Sequence, residues 1–193
     1  MEAHEVLEKV SRGEMSVGEA EAFFRREPFE DMGYAKLDTH RKLRNGAAEV
    51  VFCSGKSDDH LAGIFQRLWE QNGEVLGTRA SVRQFELVRK KLPELTYDPI
   101  SRIMKIEKPD KERIGRIAVC TGGTADIPVA EEAARTAEFF GNHVERIYDV
   151  GVSGLHRLLS RLDVIQSANC VVAAAGMEGA LASVIGGLVD KPV

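Results

Sequence analysis

Three short segments carry the residue types that bind anions or move protons. The first, Thr121-Gly122-Gly123-Thr124-Ala125-Asp126, sets two adjacent glycines beside two hydroxyls and a carboxylate. Glycines let a backbone come close to a ligand, and free N–H groups at a helix start favour a phosphate or carboxylate. In the second, Asp149-Val150-Gly151-Val152-Ser153-Gly154-Leu155-His156-Arg157, a carboxylate, a hydroxyl, an imidazole and a guanidinium follow one apolar run. A guanidinium can grip phosphate or carboxylate through two parallel N–H groups, and imidazole is the side chain that ordinarily titrates near neutrality. The third, Ala175-Gly176-Met177-Glu178-Gly179-Ala180, sets a carboxylate at the expected start of a helix, where it either complements the dipole or faces a ligand. Each residue alone also reads as a turn former, a cap or a solvated charge. Together they nominate Gly122, Gly123, Thr124, Ala125, Asp149, Gly151, Ser153, Gly154, Arg157, Gly176 and Met177 for binding. Asp126, Glu178 and His156 are the candidates for proton handling, with His156 equally suited to supporting a neighbour.

Position depends on the elements around these segments. Arg116–Cys120, His143–Val150 and Cys170–Ala175 read as buried strands, and helices are expected over Pro128–Phe140, after Gly154 and over Glu178–Val189. Asp126 is expected to cap the first of these helices, with Pro128 in its first turn. Strand–helix alternation at this spacing implies a doubly wound parallel sheet, and right-handed crossovers put all three strand-to-helix loops on one edge. Ligands of such sheets bind there. The glycine pair in Ile185-Gly186-Gly187 suggests close packing, within the chain or against another subunit, and Lys191-Pro192-Val193 reads as the start of a fourth strand cut short.

Upstream, Glu2–Val10 and Val17–Arg26 have helical patterns, the second opened by a Ser16/Glu19 capping box and closed before Pro28. Glu49–Cys53 reads as a strand, followed by a helix to Gln71 capped by Asp58 or Asp59 and burying Leu61, Ile64, Phe65 and Leu68. Glu74–Ala80 reads as a strand, Ser81–Lys91 as a helix, and Leu95–Ile106 as a hairpin turning at Asp98-Pro99. Without a regular βαβ rhythm, this block is expected to be a small α+β domain over residues 1–110. A charged linker near 105–115 joins it to the α/β domain at 115–193. A basic cluster spanning Asp38, His40, Arg41 and Arg44, with Lys56 beyond the following strand, has solvated charge as its default role.

Bulk properties narrow the class. A net charge of −4 argues against a general nucleic-acid partner. No apolar stretch approaches the roughly 20 residues needed to span a bilayer, and the acidic N-terminus is unlike a secretory signal, so a cytoplasmic protein is expected. Cys53, Cys120 and Cys170 lack CxxC spacing and sit in or beside apolar runs, which suits buried, inert thiols.

The strings DTHRKLRNGAAEVVFCSGK, GGTADIPVAEEAARTAEFFG, DVGVSGLHRLLSRL and AAAGMEGALASVIGGLVDKPV, in that order, resemble the LarB family. Its members are in turn similar to the carboxylase PurE, which acts on aminoimidazole ribonucleotide. The resemblance runs from about Tyr34 onward. It implies a flavodoxin-like sheet, a PurE-like homo-octamer and carboxylation of the pyridinium ring of nicotinic acid adenine dinucleotide. Carbon dioxide or bicarbonate is the implied co-substrate, with no tightly bound cofactor. Cleavage of the phosphoanhydride would release AMP and leave a precursor of the nickel-pincer cofactor. By position, PurE's Gly-Ser-x-Ser-Asp turn falls on Gly123–Asp126, its Ser-Ala-His-Arg loop on Ser153–Arg157, and its third glycine-rich loop on Gly176–Ala180. Leu155, and the absence of Thr-Pro after Arg157, depart from PurE and favour a pyridine nucleotide. The resemblance puts the family's nucleophilic cysteine after Val193, so the role passes to none of the three cysteines and the 193-residue chain alone is expected to be inactive. A PurE-type carboxylase or mutase and a non-catalytic nucleotide-binding module are the alternatives.

Overall fold

Segments with strong local signals fold as their patterns dictate. The computed structural model describes residues 3–25 and 28–193, so the expected helix ends at Glu2 and Arg26 lie outside the described residues. Helices α1 (Ala3–Ser11) and α2 (Val17–Phe24) lead the chain. Ser16 opens α2 with its capping box: its hydroxyl accepts from the Glu19 N–H at 3.2 Å, and Glu19 accepts from the Ser16 N–H at 2.8 Å. An antiparallel ribbon follows, β1 (Phe29–Asp31) with β2 (Lys36–Asp38), and then a short helix α3 (Arg41–Asn45). This is where the basic cluster sits, and much of it is internally compensated. The Asp38 carboxylate accepts from both terminal nitrogens of Arg44 and from the His40 N–H, and the Arg44 hydrogen bond above all holds its pKa low.

A four-stranded sheet forms the centre of the N-terminal unit, in the order β3 (Val50–Phe52), β4 (Val75–Thr78), β6 (Ile103–Ile106), β5 (Thr96–Asp98). β3 and β4 run parallel, joined by α4 (Asp58–Asn72), so this block contains one βαβ unit where no such rhythm was expected. The apolar face of α4 is the expected one, with Leu61, Ile64, Phe65 and Leu68 all buried. Its N-cap is Ser57, with Asp58 and Asp59 in the first turn, where they complement the dipole without capping. After β4 comes α5 (Val82–Arg89), capped by Ser81 and Gln84 in a second capping box.

The carboxy-terminal unit is a parallel three-stranded sheet in the order β8 (His143–Ile147), β7 (Arg116–Thr121), β9 (Cys170–Ala174). In chain order this is 2-1-3, the start of a flavodoxin-like sheet, with its switch point between β7 and β9. α6 (Ile127–Phe139) follows β7, two short helices α7 (Leu155–Leu159) and α8 (Leu162–Gln166) follow β8, and α9 (Ala180–Gly186) follows β9. The fold is thus α/β, a small α+β unit followed by a flavodoxin-like parallel sheet. Gly186 would meet nothing if given a side chain and Gly187 caps the helix, so this pair ends α9 and marks no close packing within the chain. Residues 191–193 form no strand, although the Pro192 carbonyl accepts from the Val171 N–H at 2.9 Å beside β9. Among the described residues, no helix is long and apolar enough to cross a membrane.

The two units share α6. Its Ala130 and Ala134 pack with Val119 of β7, while Phe139 on the last turn packs against Leu76 and Ile103 of the N-terminal sheet. Ion pairs reinforce the seam: Arg135 lies 2.9 Å from Asp98, and Arg79 lies 3.3 Å from Glu132. The charged stretch after β6 is tied down as well, since Lys111 pairs with Glu74 at 2.5 Å and sits 4.2 Å from the centre of the Phe139 ring.

On the other side of α6, Glu131 is buried, accepting from Arg146 at 2.8 Å and from the Tyr148 hydroxyl at 2.7 Å; Arg146 also reaches Glu138 at 2.6 Å. Burial alone would raise the pKa of Glu131 and Glu138, but their hydrogen bonds to this cluster prevail and hold both low. A carboxyl lowered in the fold stabilises it above the ordinary value near 4.5, and that stability is lost as pH falls through the lowered one. Glu131→Gln is therefore expected to cost about 1.5–2 kcal/mol at pH 7, since Gln keeps an acceptor and Arg146 keeps Glu138. Urea unfolding should show this difference at pH 7 and its progressive loss as pH falls below the ordinary carboxylate value near 4.5.

Candidate active site

The three nominated loops converge at the carboxyl ends of β7, β8 and β9, and what joins them is mainly backbone. After β7 the chain makes a single 3-10 turn over Thr124–Asp126 before α6 begins. The Gly122 N–H donates to the Ala174 carbonyl at 2.9 Å, extending the β7–β9 ladder by one residue. Buried Thr121 holds the second loop: its hydroxyl accepts from the Asp149 N–H and its carbonyl from the Val150 N–H, each at 2.9 Å. Asp149 adopts a left-handed backbone (φ 58°), which lets the chain turn sharply off β8.

Asp126 is the hub. One carboxylate oxygen accepts from the Gly123 N–H in its own loop and the other from the Gly176 N–H in the third loop, both at 2.9 Å. Its side chain does not cap α6, as the sequence suggested, but clasps two loops together. Gly151 completes the arrangement, because a Cβ there would fall 2.4 Å from the Gly122 carbonyl oxygen. Glycine is needed at 151 so that two loops can touch, not so that a ligand can approach.

These loops enclose a cavity of about 410 Å³. Of the nominated residues, Gly122, Gly123, Ala125, Asp126, Gly151, Ser153, Gly176, Met177 and Glu178 line it. Thr124, Asp149, Gly154, His156 and Arg157 do not. Arg157 instead pairs with Asp149 at 2.8 Å, and His156 lies exposed in the first turn of α7. Glu178 precedes Gly179, the N-cap of α9, so it stands before the helix in an exposed bend. The sequence reading missed the apolar wall of Val152, Ala175 and Leu181. Its signal was faint, because single apolar residues beside glycines look like ordinary loop positions.

The charge of this lining differs from that of an anion cradle. It contains two carboxylates, Asp126 and Glu178, and no lysine or arginine. Its glycine amides at 122, 123 and 176 are already donating within the protein. An apolar wall facing two carboxylates suits a flat cationic ring better than a bare phosphate. Thiol chemistry within the chain is disfavoured. Burial pushes Cys53 up to about 12, against a small opposing effect of Lys56, and pushes Cys120 up to about 11. Cys170 is half-buried where a buried thiol is expected, because it opens β9 at the strand end opposite the loops. Among the described residues, no group of three or more His, Cys, Asp or Glu side chains is placed to hold a metal ion.

Comparison with known proteins adds two findings. Residues 29–108 match the family profile described as the LarB/PurE-like N-terminal domain. The chain is also 34% identical, over 200 residues, to the uncharacterized protein MJ0165 of Methanocaldococcus jannaschii, an alignment covering 98% of this chain and 78% of that one.

Proposed function

We propose a specific reaction for this chain, which belongs to the LarB family and whose function is accordingly carboxylase-related: carboxylation of the pyridinium ring of nicotinic acid adenine dinucleotide, with release of AMP, in nickel-pincer cofactor biosynthesis. The observation that carries the choice of substrate is the cationless, two-carboxylate lining of the three-loop cavity. A pyridinium ring is flat and positively charged, with electropositive C–H edges, so its face suits the apolar wall and its edge the two carboxylates.

In this reading a thiolate adds to the ring and converts it to an enamine, whose carbon attacks carbon dioxide and forms the new C–C bond. Loss of the ring proton from that carbon and expulsion of the thiolate restore the aromatic ring, and water cleaves the phosphoanhydride to leave AMP and the carboxylated mononucleotide. Glu178, exposed and without a hydrogen-bond partner among the described residues, is the carboxylate free to take that proton. Asp126 has both oxygens engaged and acts as the positioning residue. The thiolate is none of Cys53, Cys120 or Cys170. Homo-octameric assembly is part of the proposal, and exposed Leu155 and Leu159, one turn apart on α7, are an apolar pair it would cover.

Incubation of the protein expressed from its native gene with nicotinic acid adenine dinucleotide and labelled bicarbonate tests the reading. AMP and label in an acid-stable pyridine product are expected. Absence of both overturns the proposal. The 193-residue chain alone is expected to bind the dinucleotide without carboxylating it, and label in a pyridine product formed by it would overturn the exclusion of its three thiols.

A further inference from the structure

A shallow, solvent-open cleft of about 490 Å³ lies at the carboxyl ends of the parallel strands β3 and β4 in the N-terminal unit. The parallel-strand rule that locates the three-loop cavity applies equally here. The charge is the reverse. Lys56, Arg79, Arg83 and Arg102 all line it, against a single carboxylate, Asp58. Arg83 pairs with Asp58 at 2.8 Å and Arg79 with Glu132 of α6 at 3.3 Å. Lys56 and Arg102 have no carboxylate partner among the described residues. Two positive charges held in one polar cleft repel each other, which costs free energy unless an anion enters.

The cations stand on braced loops. Gln84 donates to the Cys53 carbonyl at 2.9 Å and to the Lys56 carbonyl at 3.4 Å, pinning the β3–α4 loop to α5. Arg102 donates to the carbonyls of Ala80 and Arg79, each at 3.2 Å, while its own carbonyl accepts from the Ala80 N–H at 2.8 Å. Arg79 and Arg102 both hold left-handed backbones, at φ 53° and 56°. That conformation costs about 1 kcal/mol or more for a non-glycine residue and persists only where its surroundings enforce it. At the rim, Ser57 caps α4 without a side-chain hydrogen bond.

We propose that this cleft is an anion site for the phosphate groups of a small molecule, with Lys56 and Arg102 as its main contacts and Asp58 as a built-in competitor. The site is separate from the three-loop cavity and does not depend on the reaction proposed for it.

Calorimetric titration of the 193-residue chain with inorganic pyrophosphate, and separately with ADP, tests this in about 0.15 M KCl, where diffuse attraction is screened. Saturable binding is expected, weakened about tenfold by Lys56→Gln, recovered by Lys56→Arg and strengthened about threefold by Asp58→Asn. Tighter binding of ADP would identify a nucleotide's phosphates as the natural occupant; equal or tighter binding of pyrophosphate would identify a free phosphate anion. The proposal is overturned by non-saturable binding, by an affinity that Lys56→Gln leaves unchanged, or by loss of pyrophosphate binding in Asp126→Asn, which would place the anion in the other cavity.

Discussion

Phe139→Ala is expected to remove about 3–5 kcal/mol of stability and to separate the unfolding of the two units. Phe139 is 1% exposed and closes a cluster with Leu76 and Ile103, residues of the other sheet. Truncation leaves a hole that two independently braced sheets cannot collapse to fill, so both the transfer and the cavity contributions are lost. It also removes the ring beneath Lys111, whose ammonium is held by Glu74 and by the Phe139 carbonyl. The single tryptophan, Trp69 in α4, reports on the N-terminal unit, while far-UV circular dichroism reports on the whole chain. Coincident urea transitions are expected for the wild type, and displaced, non-coincident ones for the variant. An unchanged midpoint would show that α6 does not join the units.

Asp126→Asn is expected to weaken binding of nicotinic acid adenine dinucleotide about 100-fold while leaving global stability within about 1–2 kcal/mol. The asparagine is nearly isosteric, yet it offers one acceptor where two amides, from Gly123 and Gly176, need one each. The second amide then faces an N–H₂ group, and a donor left without its acceptor costs about 1–3 kcal/mol. The third loop is released, Met177 and Glu178 lose their place in the lining, and one of the cavity's two negative charges disappears. A positioning role predicts that the loss appears in dissociation constant and KM, with the pH profile of any residual turnover retained. A change in that profile would assign proton transfer to Asp126 itself. Wild-type affinity in the variant would mean that the loop clasp does not shape the site.

Much of the scaffold follows from short stretches of sequence. The run of Leu61, Ile64, Phe65 and Leu68 can bury one face only as a helix, and Ser16 with Glu19 sets where α2 begins. β-branched runs separated by helical patterns require parallel strands, and the handedness of crossovers then brings the three glycine-rich loops to one edge. Convergence of Thr121–Asp126, Asp149–Arg157 and Gly176–Ala180 was legible for that reason. So were the family and the hairpin over Thr96–Ile106.

The meaning of the site residues was decided only by the tertiary structure. A carboxylate three residues after a glycine pair reads as a cap from local spacing, yet Asp126 spends one oxygen on an amide 50 residues away. Arg157 reads as an anion grip until Asp149, turned by its left-handed backbone, meets it. Phe139 reads as the end of an apolar helix face, with nothing local to say that it enters a second sheet. Periodicity and capping are encoded within a few residues, because they arise from backbone geometry and neighbouring side chains. The partner of a polar side chain depends on how distant elements pack, which is why the sequence located the cavity but the fold determined its charge.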